Sequence, residues 1–163
     1  MKYLFNLILI LLVSPIILLL LIIILLIIYF SDTPKIFFKQ KRIGYKNKIF
    51  TLYKFQTMNE KKDNKGQLLP DKERITKVGK LLRFTRLDEL PNIFNVLKND
   101  LNLVGPRPLY IKYLDIYDTE QIKRHNVRPG ITGWAQINGN AYNTFNEKMK
   151  LDIWYVKNKN YYL

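Results

Sequence analysis

The sequence predicts an α+β chain, mostly helical, with an N-terminal membrane helix, amphipathic helices at the interface and a small β element on the cytoplasmic face. Three observations carry this expectation. Tyr3 to Ser31 contains no charged side chain, a run longer than the ~20 apolar residues a bilayer helix needs. Cations crowd directly behind it at Lys35, Lys39, Lys41, Arg42, Lys46 and Lys48, against Lys2 alone in front. Beyond them, short aromatic-and-cation stretches give way to amphipathic segments punctuated by Pro and Gly, the pattern of a few strands followed by helices.

The first element is the membrane segment, residues 1–31. Its apolar run is too long for a signal peptide and no small-x-small cleavage site follows it. Pro15 removes a backbone donor, so a kink at Ser14-Pro15 is expected. Each half on either side is about 20 Å long at 1.5 Å per residue, short of the ~30 Å of hydrocarbon. A bent hairpin entering and leaving by one face and a kinked spanning helix both satisfy these lengths. The cation asymmetry places the remainder, residues 32–163, in the cytoplasm.

Lys35–Met58 reads as short strands joined by a turn at Gly44–Asn47. Asn59–Arg74 is charged, contains Gly66 and Pro70, and reads as a mobile loop. Ile75–Arg86 reads as a basic amphipathic helix with Ile75, Val78, Leu82 and Thr85 on one side. It suits either anionic lipid or a protein core. Pro91 is expected to open a helix to Lys98, since proline is tolerated in a first turn. Pro108–His125 reads as a further helix and Val127–Asn140 as a loop punctuated by Gly and Pro. The last stretch is apolar at Met149, Ile153, Trp154 and Val156, then rich in tyrosine. Trp154, Tyr155, Tyr161 and Tyr162 suit an interfacial aromatic belt or core packing equally.

At 163 residues, one modest core is expected, and no internal repeat is visible. With 27 Lys and Arg against 13 Asp and Glu, the formal net charge is +14. That balance suits anionic partners: phosphorylated substrates, an anionic bilayer or nucleic acid. The absence of cysteine excludes disulfides and thiolate metal sites, and one histidine, His125, cannot build a histidine metal centre.

Against this basic background, Asp88 and Glu89 stand side by side between Arg83, Arg86 and Arg107. A helix start at Pro91 places both carboxylates at an N-terminus, where free N–H groups and the macrodipole favour negative charge. An aspartate so placed stays ionised and suits nucleophilic attack on phosphorus; helix capping explains the same pair without chemistry. Neighbouring residues do not share a helix face, so the two are expected to hold different roles. Together with a substrate pyrophosphate they suit Mg²⁺, a hard oxygen-seeking ion. Arg107 lies between Pro106 and Pro108, whose fixed φ angles leave little entropy to lose in aiming a guanidinium at phosphate. Arg128-Pro129-Gly130 repeats the device.

Five stretches, in order and across nearly the whole chain, resemble the bacterial sugar transferases, the small monotopic phosphoglycosyl transferases. They are Ser14-Pro15, "LYKFQTM" at Leu52–Met58, "LDELPNIFNVLKNDLNLVGPRPL" at Leu87–Leu109, "RPGITGWAQING" at Arg128–Gly139 and "EKMKLDIWYV" at Glu147–Val156. The resemblance implies transfer of a sugar 1-phosphate from a UDP-sugar to polyprenol phosphate, releasing UMP, at the start of glycoconjugate or exopolysaccharide assembly. It implies a ping-pong course through a phosphosugar–aspartyl intermediate on Asp88, with Glu89 as second catalytic acid and Mg²⁺ as cofactor. Lys54, Arg83, Arg107 and Arg128 match the family's phosphate-binding positions. The membrane helix becomes re-entrant, broken at Ser14-Pro15, on the cytoplasmic face of the bacterial inner membrane. Downstream glycosyltransferases are the implied protein partners, and nucleic acid is not among the partners.

Three departures stand out. Gln56 and Asn140 occupy positions where the family often carries cations, and relatives continue past Leu163 through a further amphipathic helix. The resemblance therefore implies a catalytic domain lacking that helix. Two other readings fit the charge: a membrane-tethered protein binding anionic lipid or nucleic acid, and an inactive scaffold relative. Neither accounts for Asp88-Glu89 among arginines.

Overall fold

The computed structural model describes residues 2–31, 35–139 and 143–159; the expectations at Asn140, Tyr161 and Tyr162 lie outside them. Helix α1 covers Lys2–Tyr29 and keeps helical geometry through Pro15. Proline at this position leaves the Leu11 carbonyl, four residues back, without its usual N–H partner. The Ser14 hydroxyl donates to that carbonyl at 2.7 Å, so the Ser-Pro pair repairs its own defect, as an apolar solvent requires. The helix is long and apolar enough to cross a membrane, and nearly all of its surface is unburied.

Strands β1 (Phe37–Ile43) and β2 (Ile49–Phe55) pair across a tight turn. Lys46 and Asn47 adopt positive φ there, and Gly44 N–H closes the turn on the Lys48 carbonyl. The chain groups into two compact units. One contains the described residues of Met1–Leu7, Gln40–Leu52 and Phe94–Leu163, and the other Ile8–Lys39 and Tyr53–Ile93.

In the second unit, α1 contributes Ile24 and Ile28 to a core completed by Phe55 and Leu82. Leu82 comes from α3 (Lys77–Phe84), which follows a single turn, α2 (Asp71–Arg74). The expected helix over Ile75–Arg86 is thus shorter at both ends. Ile75 bridges to Met58, and Thr76 caps α3 by accepting from Gly79 N–H at 2.9 Å. Arg86, at φ 61°, leaves helical geometry altogether. The loop before α3 is exposed, and within it Asp63 Oδ1 accepts from the N–H groups of Lys65 and Gln67. Pro91 does not open a helix: it lies inside a 3-10 turn, Leu87–Asn92, which runs into α4 (Ile93–Leu97). The left-handed Arg86 starts that turn early, its carbonyl accepting from Glu89 N–H.

In the first unit, β3 (Asn102–Val104) and β4 (Gly130–Thr132) pair in parallel, Asn102 opposite Gly130 and Val104 opposite Thr132. A Cβ on Gly130 would stand 2.1 Å from Gly105 N, so this glycine permits close approach of two strands and gives no flexibility. The stretch Val127–Asn140, read as loop, contains β4 and the helix α5 (Trp134–Asn138). Pro108–His125 forms no α-helix but two 3-10 turns, Ile111–Ile116 and Gln121–Asn126. Asp118 breaks them apart, its carboxylate accepting from the N–H groups of Glu120 and Gln121, a local bond that competes with helix. The last element, α6 (Phe145–Asn158), starts in a capping box between Thr144 and Glu147. It buries Met149, Asp152 and Tyr155, while Trp154 stacks on Trp134 and remains partly exposed. Tyr155 is therefore core, not belt.

Candidate active site

In the second unit, three elements bring Lys54, Arg83, Asp88 and Glu89 into one electrostatic cluster: β2, α3 and the 3-10 turn. Because Arg86 turns left-handed before them, Asp88 and Glu89 enter the first turn instead of preceding it. Their environments differ, as adjacent positions on a turn require. Glu89 Oε1 forms an ion pair with Lys54 Nζ at 2.6 Å. Asp88 is buried and makes no ion pair among the described residues.

Burial pushes the Asp88 carboxyl above its usual range, and the Glu89 charge adds to this; Lys54 opposes it first, then Arg83 and Arg86. Desolvation thus outweighs the nearby cations in setting the direction of the Asp88 pKa. Once ionised, such a carboxylate is poorly solvated and more basic than a surface one. Arg83 is held from behind: its Nε–H donates to Thr57 Oγ1 at 2.9 Å. Thr57 itself lies against α3 where Gly79 has no side chain, since a Cβ there would stand 2.0 Å from the Thr57 carbonyl oxygen. The Gln56 side-chain amide donates to the Met58 carbonyl.

Arg107 and Arg128 belong to the first unit. The Arg128 Nε–H donates to the Asn99 carbonyl at 2.9 Å, and its guanidinium lies 5.2 Å from the Tyr45 ring centroid. Arg107 is half-buried, and its carbonyl accepts from Arg124 Nη2 at 2.7 Å. His125 is buried beside Tyr117. Burial, and then the Arg124 charge, lower its pKa to about 4.

Three positions escaped the sequence reading: Thr57, Arg124 and Asp152. Asp152 carried a signal, a lone acid between Leu151 and Ile153 in the apolar run of the last stretch. Arg124 carried none within its basic neighbourhood.

Among the described residues no cluster of three or more His, Cys, Asp or Glu exists to cage a metal ion. Mg²⁺ does not need one, because it is bound by one or two carboxylates plus waters and substrate phosphates. The hard oxygens of Asp88 and Glu89 fit that donor set.

A family model described as bacterial sugar transferase matches residues 1–163. The chain is 56% identical over 128 residues to an uncharacterized sugar transferase, EpsL, of Bacillus subtilis (strain 168), covering 78% of this chain and 63% of that protein. It is 43% identical over 131 residues to the UDP-N-acetylgalactosamine-undecaprenyl-phosphate N-acetylgalactosaminephosphotransferase of Aeromonas hydrophila, 76% of this chain and 31% of the relative. A third similarity, 36% over 132 residues, is to the UDP-glucose:undecaprenyl-phosphate glucose-1-phosphate transferase of Escherichia coli (strain K12), covering 75% and 28%. The chain thus matches less than two thirds of each of these relatives' length.

Proposed function

The chain belongs to the bacterial sugar transferase family, and on that footing we propose that it transfers a sugar 1-phosphate from a UDP-sugar to a polyprenol phosphate. The observation that carries this reading is the buried Asp88 carboxylate, free of an ion pair among the described residues, beside the Lys54–Glu89 pair and Arg83. Relatives named for UDP-sugar and undecaprenyl-phosphate chemistry support the substrate class.

In this reading an Asp88 carboxylate oxygen attacks the β-phosphorus of the UDP-sugar. The bond from that phosphorus to the bridging oxygen breaks, UMP leaves with the electron pair, and an acyl phosphate carries the sugar. A phosphate oxygen of the polyprenol phosphate then attacks the same phosphorus and expels the Asp88 carboxylate. Desolvation favours the first step, because a buried carboxylate loses less hydration when it bonds to phosphorus. Lys54 and Arg83 offset the charge that builds on the phosphoryl oxygens; Arg107 and Arg128 are assigned to the same anionic substrate by their match to the family. Glu89, tied to Lys54, holds that ammonium in place. Asp88 and Glu89 would hold Mg²⁺, which supplies charge neutralisation at the diphosphate.

The same proposal makes α1 re-entrant, with the protein on the cytoplasmic face of the inner membrane. Both ends of the helix support this. Near its start, Tyr3 Oη donates to the Leu97 carbonyl and Asn6 Nδ2 to Asn102 Oδ1, while Ile24 and Ile28 near its end pack with Phe55 and Leu82. Residues after the helix have no second apolar run to carry them across, so whatever touches them shares their side. In inverted vesicles, cysteines placed at Leu4 and Tyr29 should both react with an impermeant maleimide. Protection of the first alone would mean a spanning helix.

The test of the chemistry uses the protein in nanodiscs with Mg²⁺ and a panel of UDP-sugars, without lipid acceptor. About one UMP per enzyme, with a matching sugar-phosphate adduct in the intact mass, is expected. Both should vanish in Asp88→Asn. No UMP with any donor, with or without polyprenol phosphate, would overturn the transferase reading.

A further inference from the structure

The segment Pro106–Leu109 has an unusual problem of attachment. Prolines at 106 and 108 have no N–H, which leaves the segment's carbonyls a larger share of its attachment. The Pro106 carbonyl accepts from Gly130 N–H at 3.0 Å and the Leu109 carbonyl from Ile43 N–H at 3.2 Å. The carbonyl of Arg107 itself, between them, is held by a side chain: Arg124 Nη2 at 2.7 Å.

Arg124 is fixed with unusual completeness for this task. Its Nε and Nη2 donate to Asp152 Oδ2 at 3.1 and 2.7 Å, and Nη1 donates to Tyr117 Oη at 3.1 Å. Side-chain exposures of 2% for Arg124 and 4% for Asp152 keep both from solvent. A buried ion pair is a poor source of net stability, because desolvation consumes most of the Coulomb gain. Its value lies in geometry: a planar guanidinium with its donors engaged on three partners has one orientation. With its fork spent and its surface covered, Arg124 cannot also bind a substrate phosphate.

We propose that Arg124, locked by Asp152 from α6 and by Tyr117, is a positioning residue that sets the Arg107 backbone and so aims the Arg107 guanidinium at the substrate diphosphate. This rests on the transfer reaction proposed above, in which Arg107 binds phosphate. A lysine at 124 would keep the charge and one bond to Asp152. A single ammonium on a flexible stem cannot reproduce the fork to Asp152, Tyr117 and the Arg107 carbonyl together.

The experiment is a double-mutant cycle on UDP binding, read by calorimetry on the full chain in nanodiscs with Mg²⁺ present. Arg107→Ala and Arg124→Lys should each weaken UDP binding by roughly tenfold, the order of one charge-assisted contact. The double variant should bind no worse than Arg107→Ala alone. Multiplying losses in the double variant would overturn the proposal, since a merely structural arginine would act on the site without passing through Arg107. If Arg124→Lys does not fold by circular dichroism, the same cycle is run with Tyr117→Phe, which keeps the ring and removes one of the three locks. A loss of about twofold to threefold, absent in the Arg107→Ala background, is then expected. Unchanged UDP binding in the folded position-124 variant, or in Tyr117→Phe where that replaces it, would also overturn it. The two proposals fail separately. Wild-type protein that binds UDP and shows the cycle but releases no UMP sinks the transferase reading alone, whereas wild-type protein that does not bind UDP sinks both.

Discussion

Lys54 and Glu89 form an ion pair of 2.6 Å with side chains only 17% and 11% exposed, and it stands beside Asp88, a buried carboxylate that makes no ion pair among the described residues. The pair therefore tunes Asp88 from two sides, Lys54 lowering its pKa and Glu89 raising it.

Removing either partner should move the acid limb of kcat/KM in opposite directions. Lys54→Met deletes the stabilising cation, so Asp88 should need a higher pH to ionise and the limb should move alkaline. Glu89→Gln deletes the competing anion, so the limb should move acid. Residual UMP release followed across pH checks this. The positions of the limbs decide it, whatever the amplitudes, and shifts of the same sign would disconnect the pair from Asp88.

Thr57→Val should lower kcat/KM for the UDP-sugar by about tenfold or more, the worth of one hydrogen bond to a charged group. Arg83 would lose the acceptor that holds its Nε while Thr57 keeps nearly its shape. Thr57→Ser restores the oxygen and should recover most of the activity. Steady-state UMP release on the three proteins is sufficient.

Gly79→Ala should destabilise the second unit by about 1–3 kcal/mol, the usual cost of overpacking. The added methyl would sit 2.0 Å from the Thr57 carbonyl oxygen, so α3 must move away from the segment after β2 that carries Thr57. A melting temperature within one degree of wild type would contradict this.

His125 should make stability depend on pH. Its pKa is lowered in the fold from 6.5 to about 4, so between those values the unfolded chain binds a proton that the folded chain refuses. Stability contributed by the neutral imidazole is complete above pH 6.5 and is lost as pH falls towards 4, by about 3 kcal/mol at most. The buried acids Asp88 and Asp152, whose pKa values are raised, act in the reverse sense. The difference between wild type and His125→Gln therefore isolates the histidine, and it should shrink as pH falls.

Elements with a strong local period were legible in advance: the apolar helix, the two strands with their Gly44 turn, and the basic helix around Val78 and Leu82. Elements that failed did so for local reasons. Asp118 bonds its own downstream amides and splits a helix that apolar spacing favoured. Gly130 reads as a loop residue because glycine marks both flexibility and close contact, and only the partner strand tells the two apart. At the site, residue types pointed to Asp88, Glu89 and the cations. The Lys54–Glu89 pairing and the supports from Thr57, Arg124 and Asp152 join positions far apart in the chain, which no local pattern encodes.

Ile24 and Ile28 lie in the same core as Phe55 and Leu82, so the long apolar helix α1 is also part of the second unit's interior. A chain beginning after Ser31 would not be a self-sufficient soluble unit. It would be an incomplete one, with two large apolar side chains facing water where helix should cover them. This unit's interior is therefore complete only with α1 in place, and detergents that strip the helix from Phe55 and Leu82 should unfold the unit before they disperse the protein.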